Sequence, residues 1–292
     1  MQRKFVSTLA VAAAGLTGSS ASAQFFTDGI DSLANWTVAG QADTTATVID
    51  YSALGIAEAP NQVAGSAATT GVQFTANTSA GLGQAVNLLG AVNGGNADLT
   101  LSTYQVQFDM YLSVAVPIPG GGTEQGLWGI GRTTGNALGR NNRATEGDGV
   151  WGWLATENGY GTEDTAIFEG STELADLGDT QPGETDPFNN AFTTNLGVNN
   201  TPANSWVTVT MTADNGLVEI WYNSVKFFSE TVTSTDGDVM LGYEDPFGSI
   251  SAGPADQFGI IDNVIIDDAI TIPEPASLVL LGLGSLAMLR RR

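Results

Sequence analysis

The stretch Tyr104-Gln105-Val106-Gln107-Phe108-Asp109-Met110-Tyr111-Leu112 alternates with a period of two. Tyr104, Val106, Phe108, Met110 and Leu112 then share one face, as side chains do on a strand buried on one side. Pro117 and Pro119 follow and end the strand, because proline cannot donate to a ladder. A second stretch, Trp206 to Asn223, carries Asn215-Gly216 at its middle. That pair is favoured in a type I′ turn, whose two central residues need positive φ. A two-residue loop there pairs Asp214 with Leu217, Met211 with Ile220 and Val209 with Tyr222. Turn and apolar pattern thus agree on register. The opposite face carries Thr208, Thr210, Thr212, Glu219 and Trp221, which suits a binding surface or the floor under a loop. Further strands are expected at Phe25 to Val38, Gly149 to Leu154 and Phe258 to Asp267, with Gly/Asn/Thr/Asp-rich loops between them. No long segment repeats its apolar residues at helical spacing. The pattern predicts an all-β, two-sheet antiparallel β-sandwich. Residues 120–200 are weakly patterned and read as long loops with few strands.

The two ends have a different character. Arg3 and Lys4 precede a mostly apolar run to Leu16, and Ala21-Ser22-Ala23 is a small-x-small cleavage pattern. Residues 1–23 are therefore expected to be a secretory signal peptide, read by signal peptidase. The apolar run is short for a transmembrane helix, the alternative reading. At the other end, Pro273 and Pro275 exclude helix, so a helix can begin only near Ala276. Ser277 to Leu289 spans roughly 20 Å as a helix, which barely crosses a bilayer even with Arg290, Arg291 and Arg292 snorkelling. Those arginines are expected to stay cytoplasmic, leaving the body outside.

Pro273-Glu274-Pro275, the Gly282-Leu283-Gly284 run and the triple arginine together resemble the PEP-CTERM sorting signal of Gram-negative bacteria. The resemblance covers residues 272–292. It implies export across the inner membrane, transient membrane anchoring, and processing by an exosortase near Pro273, Glu274 and Pro275. It also implies a cell-surface or extracellular-matrix destination in bacteria that make exopolysaccharide and biofilm. A plain C-terminal anchor is the simpler alternative.

The body, residues 24–271, resembles the concanavalin A-like jelly roll of laminin-G-type domains. Trp206, Val209, Gly216, Ile220 to Asn223 and Ile261 to Val264 carry that likeness. A galactose-binding-like jelly roll is the second choice, at a smaller usual size. The expected architecture is one lectin-like sandwich with terminal signal and sorting helices.

Charge and composition restrict the chemistry. The chain has 31 acidic and 9 basic residues, a net charge of −22, no cysteine and no histidine. Nucleic acid is excluded as a partner by repulsion. Disulfides, thiolate or imidazole metal sites and a Ser-His-Asp triad are excluded by composition. Neutral sugars and divalent cations suit it. Trp128, Trp151, Trp153, Tyr160 and Trp221 are candidate stacking platforms for sugar rings, with Arg140 and Arg143 as hydrogen-bond donors. Large aromatics are also the common material of cores. Calcium favours oxygen ligands in acidic loops, and the candidate ligands are Glu146 and Asp148, Asp236 and Asp238, Glu244 and Asp245, and Asp28 near Asp262. The Glu146-Gly147-Asp148-Gly149-Val150-Trp151 stretch matches two of three acidic positions of jelly-roll glucanases, with Trp151 in place of the second glutamate. One catalytic carboxylate is therefore missing. The expected function is non-catalytic binding or organisation of extracellular polysaccharide; the alternatives are a structural matrix protein without a ligand and a divergent glycoside hydrolase.

Overall fold

The computed structural model describes residues 24–90, 101–115, 123–156, 164–177, 190–195, 200–250, 256–268 and 270. The signal peptide, the sorting segment, Pro117, Pro119 and Tyr160 lie outside the described residues. Among the described residues no helix is long and apolar enough to cross a membrane.

The strands are β1 (Gln24–Asp28), β2 (Trp36–Gly40), β3 (Thr44–Asp50), β4 (Thr70–Ala76), β5 (Gln84–Gly90) and β6 (Thr103–Ser113). They continue with β7 (Gln125–Arg132), β8 (Val150–Ala155), β9 (Thr165–Glu169), β10 (Thr172–Leu177), β11 (Thr194–Asn195) and β12 (Asn200–Thr201). The last five are β13 (Trp206–Asp214), β14 (Leu217–Tyr222), β15 (Val225–Thr231), β16 (Asp238–Asp245) and β17 (Phe258–Asp267). A single turn of helix, α1 (Arg143–Glu146), sits in a loop.

Two antiparallel sheets face each other. Sheet A runs β15-β14-β13-β6-β17-β4-β3, with β1 also paired to β17. Sheet B runs β10-β9-β8-β7-β16-β5-β2. The chain passes between sheets from β5 to β6 to β7, and again from β15 to β16 to β17. These late strands insert beside early ones, so the fold is a jelly-roll sandwich rather than two separate meanders.

The core lies between the sheets. Val106, Phe108, Met110 and Leu112 of β6 meet Trp128 and Ile130 of β7 and Leu241 and Tyr243 of β16 in one cluster. The β13–β14 hairpin has the register that its turn dictates: Val209 faces Tyr222, Met211 faces Ile220 and Asp214 faces Leu217. Asn215 and Gly216 hold φ of 51° and 89°, as a type I′ turn requires. The final strand covers the anticipated Phe258 to Asp267.

The middle of the chain differs from its expected loops. β7, β8, β9 and β10 form one half of sheet B. Residues 133–148 fold back over that sheet's outer face, enclosing a second apolar cluster that includes Leu127, Trp151, Trp153, Phe168 and Met240. β8 falls on the expected strand at Gly149 to Leu154, whereas β7 and β9, buried on both faces, lose the alternation that would reveal them; β10 is a largely exposed edge strand. Residues 51–69 cover part of sheet A's outer face in the same way, their Tyr51 clustering with Phe258 and Ile260 of β17.

Candidate functional site

The outer cluster of sheet B gathers four of the anticipated sugar-binding residues. Trp151 stacks on Phe168 with ring centroids 4.9 Å apart, and Trp153 lies 5.9 Å from Trp151. Their i, i+2 spacing on β8 puts both indoles on the outer face, but the 133–148 loop covers them and neither is exposed. Trp151 Nε1 donates to the Gly170 carbonyl at 2.7 Å. Arg140 places its guanidinium 5.8 Å from the Trp153 ring and 5.3 Å from the Phe247 ring. Arg143 lies 5.4 Å over Phe168. The arginines cap the aromatics in the position a sugar would need, so Trp151 and Trp153 act as a floor rather than an open platform.

Glu244 supports this arrangement from below. Its two carboxylate oxygens accept from the Arg140 amide at 3.1 and 2.9 Å. The Gln125 amide, assigned from its partners, donates to Glu244 Oε1 at 2.9 Å and accepts from Trp153 Nε1 at 3.3 Å. Burial pushes the Glu244 carboxyl up to about 8, against the downward pull of the Arg140 amide.

Phe247 completes the surface, and it was not singled out from sequence. It stands 42% exposed on a turn after β16, beside Leu82 at 61%. Asn77 holds that turn, its Nδ2 donating to the carbonyls of Phe247 (3.0 Å) and Ser249 (3.3 Å). Asn141 Nδ2 donates to the Pro246 carbonyl at 2.6 Å. The only signal in the sequence was the Asp245-Pro246-Phe247-Gly248 turn, which displays a ring where a strand has ended. The result is a rim with an exposed aromatic face, two arginines and an asparagine, fixed on a rigid aromatic floor.

The remaining anticipated residues fall elsewhere. Trp128 is enclosed between the sheets and donates its indole N–H to Tyr222 Oη at 2.9 Å. It presents no face to a ligand. Trp221 lies on the outer face of the other sheet, with Lys226 Nζ 5.3 Å from its ring. It is therefore remote from Trp151 and Trp153, on the opposite side of the sandwich.

The acidic residues chosen as calcium ligands hold the protein's own donors. Asp148 pairs with Arg132 and accepts from the amides of Thr133 (2.6 Å) and Thr134 (2.9 Å). Glu146 accepts from Asn136 Nδ2 at 2.8 Å. Asp28 accepts from the Ile30 amide (2.7 Å), Asn35 Nδ2 (3.0 Å) and Trp36 Nε1 (2.9 Å). It thereby pins Ile30, a β-branched residue at a φ of 51°. Asp262 accepts from Tyr51 Oη at 2.8 Å and the Asn263 amide at 2.7 Å. Asp28 and Asp262 thus serve separate partners. Asp262 instead stands opposite Asp109 across β17 and β6. Asp109 accepts from the Asn61 amide (2.9 Å) and side chain (2.6 Å), which fastens the 51–69 loop to sheet A. Among the described residues no group of three or more acidic side chains converges to hold a metal.

Residues 271–292 match the PEP-CTERM protein-sorting motif. That motif signals export and exosortase-dependent processing in bacteria. No curated protein matches this sequence. Among solved structures the chain is similar to the potassium-bound carbohydrate recognition domain of Emp46p, at 9% identity and a TM-score of 0.44, covering 84% of this chain and 93% of that one. It is also similar to the exoplasmic/lumenal domain of VIP36 in its Ca2+/Man-bound form, at 11% identity, a TM-score of 0.44, and 82% and 86% coverage. A Bacillus subtilis protein of unknown function with a galectin-like fold matches at 9% identity and a TM-score of 0.43, with 85% and 97% coverage. At these scores nothing about ligands transfers from them; the jelly-roll sandwich stands on the strand order described above.

Proposed function

We propose that the protein is an exported, non-catalytic binder of extracellular polysaccharide, and that the rim of Phe247, Arg140, Asn141 and Arg143 is its contact surface. The observation that carries this reading is the half-exposed Phe247 ring beside a guanidinium already stacked on a tryptophan. An aromatic face held rigid suits the apolar face of a sugar ring, and the arginine and asparagine groups suit its hydroxyls. The net charge of −22 favours a neutral polysaccharide over an anionic one. The reading without catalysis is supported by Glu146 and Asp148, which are committed to holding the 133–148 loop. The sorting motif supports a route through signal peptidase, transient anchoring in the inner membrane and exosortase cleavage near Pro273, Glu274 and Pro275. Cell surface or matrix is the destination this route serves.

The test is retention of the purified protein on neutral polysaccharides from matrix-forming cultures. Phe247→Ala is expected to weaken retention about tenfold, equivalent to about 1.4 kcal/mol. Arg140→Ala is expected to act in the same direction. Absence of retention by the unsubstituted protein, or equal retention by Phe247→Ala, overturns the assignment.

A further inference from the structure

Beneath the turn that carries Phe247, one end of the sandwich holds a group of buried oxygens without partners. Gln84 and Asp245 are paired across β5 and β16, and the same ladder continues Glu244↔Gln125 to place Glu124 beside Asp245 on the other side. Directly opposed residues on antiparallel strands point to the same face. Tyr243, two residues back on β16, faces the inter-sheet core, so Gln84, Asp245 and Glu124 form a row on the inner face of sheet B. Sheet A closes over them. A Cβ at Gly259 would lie only 2.7 Å from the Tyr243 ring, and Gln257 stands just ahead of β17, two residues before that glycine.

All five side chains are more than nine-tenths buried: Gln84 at 8%, Glu124 at 2%, Tyr243 at 0%, Asp245 at 2% and Gln257 at 3% exposure. Gln84 Oε1 and both amide atoms of Gln257 have no hydrogen-bond partner, and the Tyr243 hydroxyl and the Glu124 carboxyl meet each other with no further partner on Tyr243 Oη or Glu124 Oε2. Asp245 is held in place by Asn77 Nδ2 at 2.8 Å and the Phe247 amide at 2.9 Å, each oxygen keeping a lone pair. Neither carboxylate takes part in the Arg132–Asp148 or the Lys226–Glu219 ion pair. An unpartnered buried polar atom costs about 1–3 kcal/mol, and more when charged. Such groups are ordinarily satisfied by ordered water or by a bound ion, and their placement at one end of the sandwich lets a single ion serve several of them.

We propose that Glu124, Asp245, Gln84, Gln257 and Tyr243 form an internal site for a hard divalent cation of calcium's size. Two carboxylates balance its charge, and amide and phenol oxygens supply further ligands. Calcium accepts six to eight oxygens in irregular geometry, whereas magnesium demands a near-ideal octahedron and keeps its water. Four chain segments spaced by sheet geometry suit the former. Bound there, the ion ties β5, β16 and the lead into β17 at the base of the Phe247 turn. This site stands independently of the polysaccharide reading.

The experiment is thermal unfolding of the full chain after chelation, with calcium or magnesium added back. At a hundredfold excess over Kd, calcium is expected to raise the midpoint by about 5–10 °C, and magnesium by far less. Glu124→Gln keeps the shape of the side chain and removes its charge. It is expected to equal or exceed the unsubstituted protein in chelator and to lose the calcium response. Surface carboxylates of so acidic a chain also attract calcium, so the difference between the two proteins is the readout. Terbium(III) luminescence sensitised by Tyr243, displaced by calcium and lost in Glu124→Gln, reports occupancy without reference to stability. Equal calcium responses in the two proteins, or terbium emission unaffected by the substitution, overturn the site. Polysaccharide retention is read separately, so failure of either proposal leaves the other standing.

Discussion

Arg132 has a fully buried side chain, and its partner Asp148 is one-fifth exposed. The guanidinium also donates to the carbonyls of Glu146 (2.9 Å) and Asn136 (3.3 Å) and to Thr134 Oγ1 (3.0 Å). One cation thus gathers both ends of the 133–148 loop. Removing one member of a buried pair leaves an uncompensated charge, at about 3–5 kcal/mol. Asp148→Ala is therefore expected to lower the urea-unfolding free energy by that order, and pairing it with Arg132→Met to restore part of the loss. If Asp148→Ala unfolds at the same urea concentration as the parent, the ion pair does not hold the loop. In sequence, Asp148 looked like a metal ligand because an acid in a Gly-rich loop suits either task. Only the fold brings Arg132 to it. The tryptophans teach the same lesson: i, i+2 spacing put Trp151 and Trp153 on one face, but their cover is a segment whose path no local pattern records.

Among the elements, the β13–β14 hairpin was readable in full, since turn chemistry and alternation are both local. Gly216→Ala forces a side chain to a φ of 89° and is expected to cost about 1–2 kcal/mol in denaturant unfolding; an unchanged midpoint would contradict the type I′ turn. The 51–69 loop was not readable, because its fastening joins Asn61 and Tyr51 to Asp109 and Asp262 on distant strands. Burial raises Asp262 to about 7, with Asp109 and Asp31 adding to the rise and the Tyr51 and Asn263 hydrogen bonds opposing it. The folded protein then binds more protons than the unfolded chain between the ordinary carboxylate range and that value. Stability is consequently greatest at the acidic side of the window and falls as pH rises through it, levelling off above about 7. The unfolding midpoint of Asp262→Asn is expected to lose this slope and to exceed that of the parent at about pH 8. Parallel pH profiles for the two proteins would exclude the carboxyl as the source.

For the whole molecule, jelly-roll order puts the segment after β16 beside the 133–148 loop, and so makes one rim from residues more than a hundred positions apart. The rim's position on a sandwich that carries a sorting motif at residues 271–292 links surface and address in one chain. Replacing Pro273, Glu274 and Pro275 together by alanine is expected to abolish C-terminal processing, visible as an intact-mass difference in cells that process the parent. Identical mature masses would reject cleavage at this motif.

The sequence by itself determined the sheet class, the hairpin register, the last strand and the sorting motif, because each depends on neighbours within a turn or a strand. Tertiary structure alone decided which aromatics meet solvent, which acids hold arginine or loop donors, and that β7 and β9 are strands at all. A side chain's exposure depends on what folds over it. Where both faces of a sheet are covered, the periodicity that reports burial in the sequence is erased.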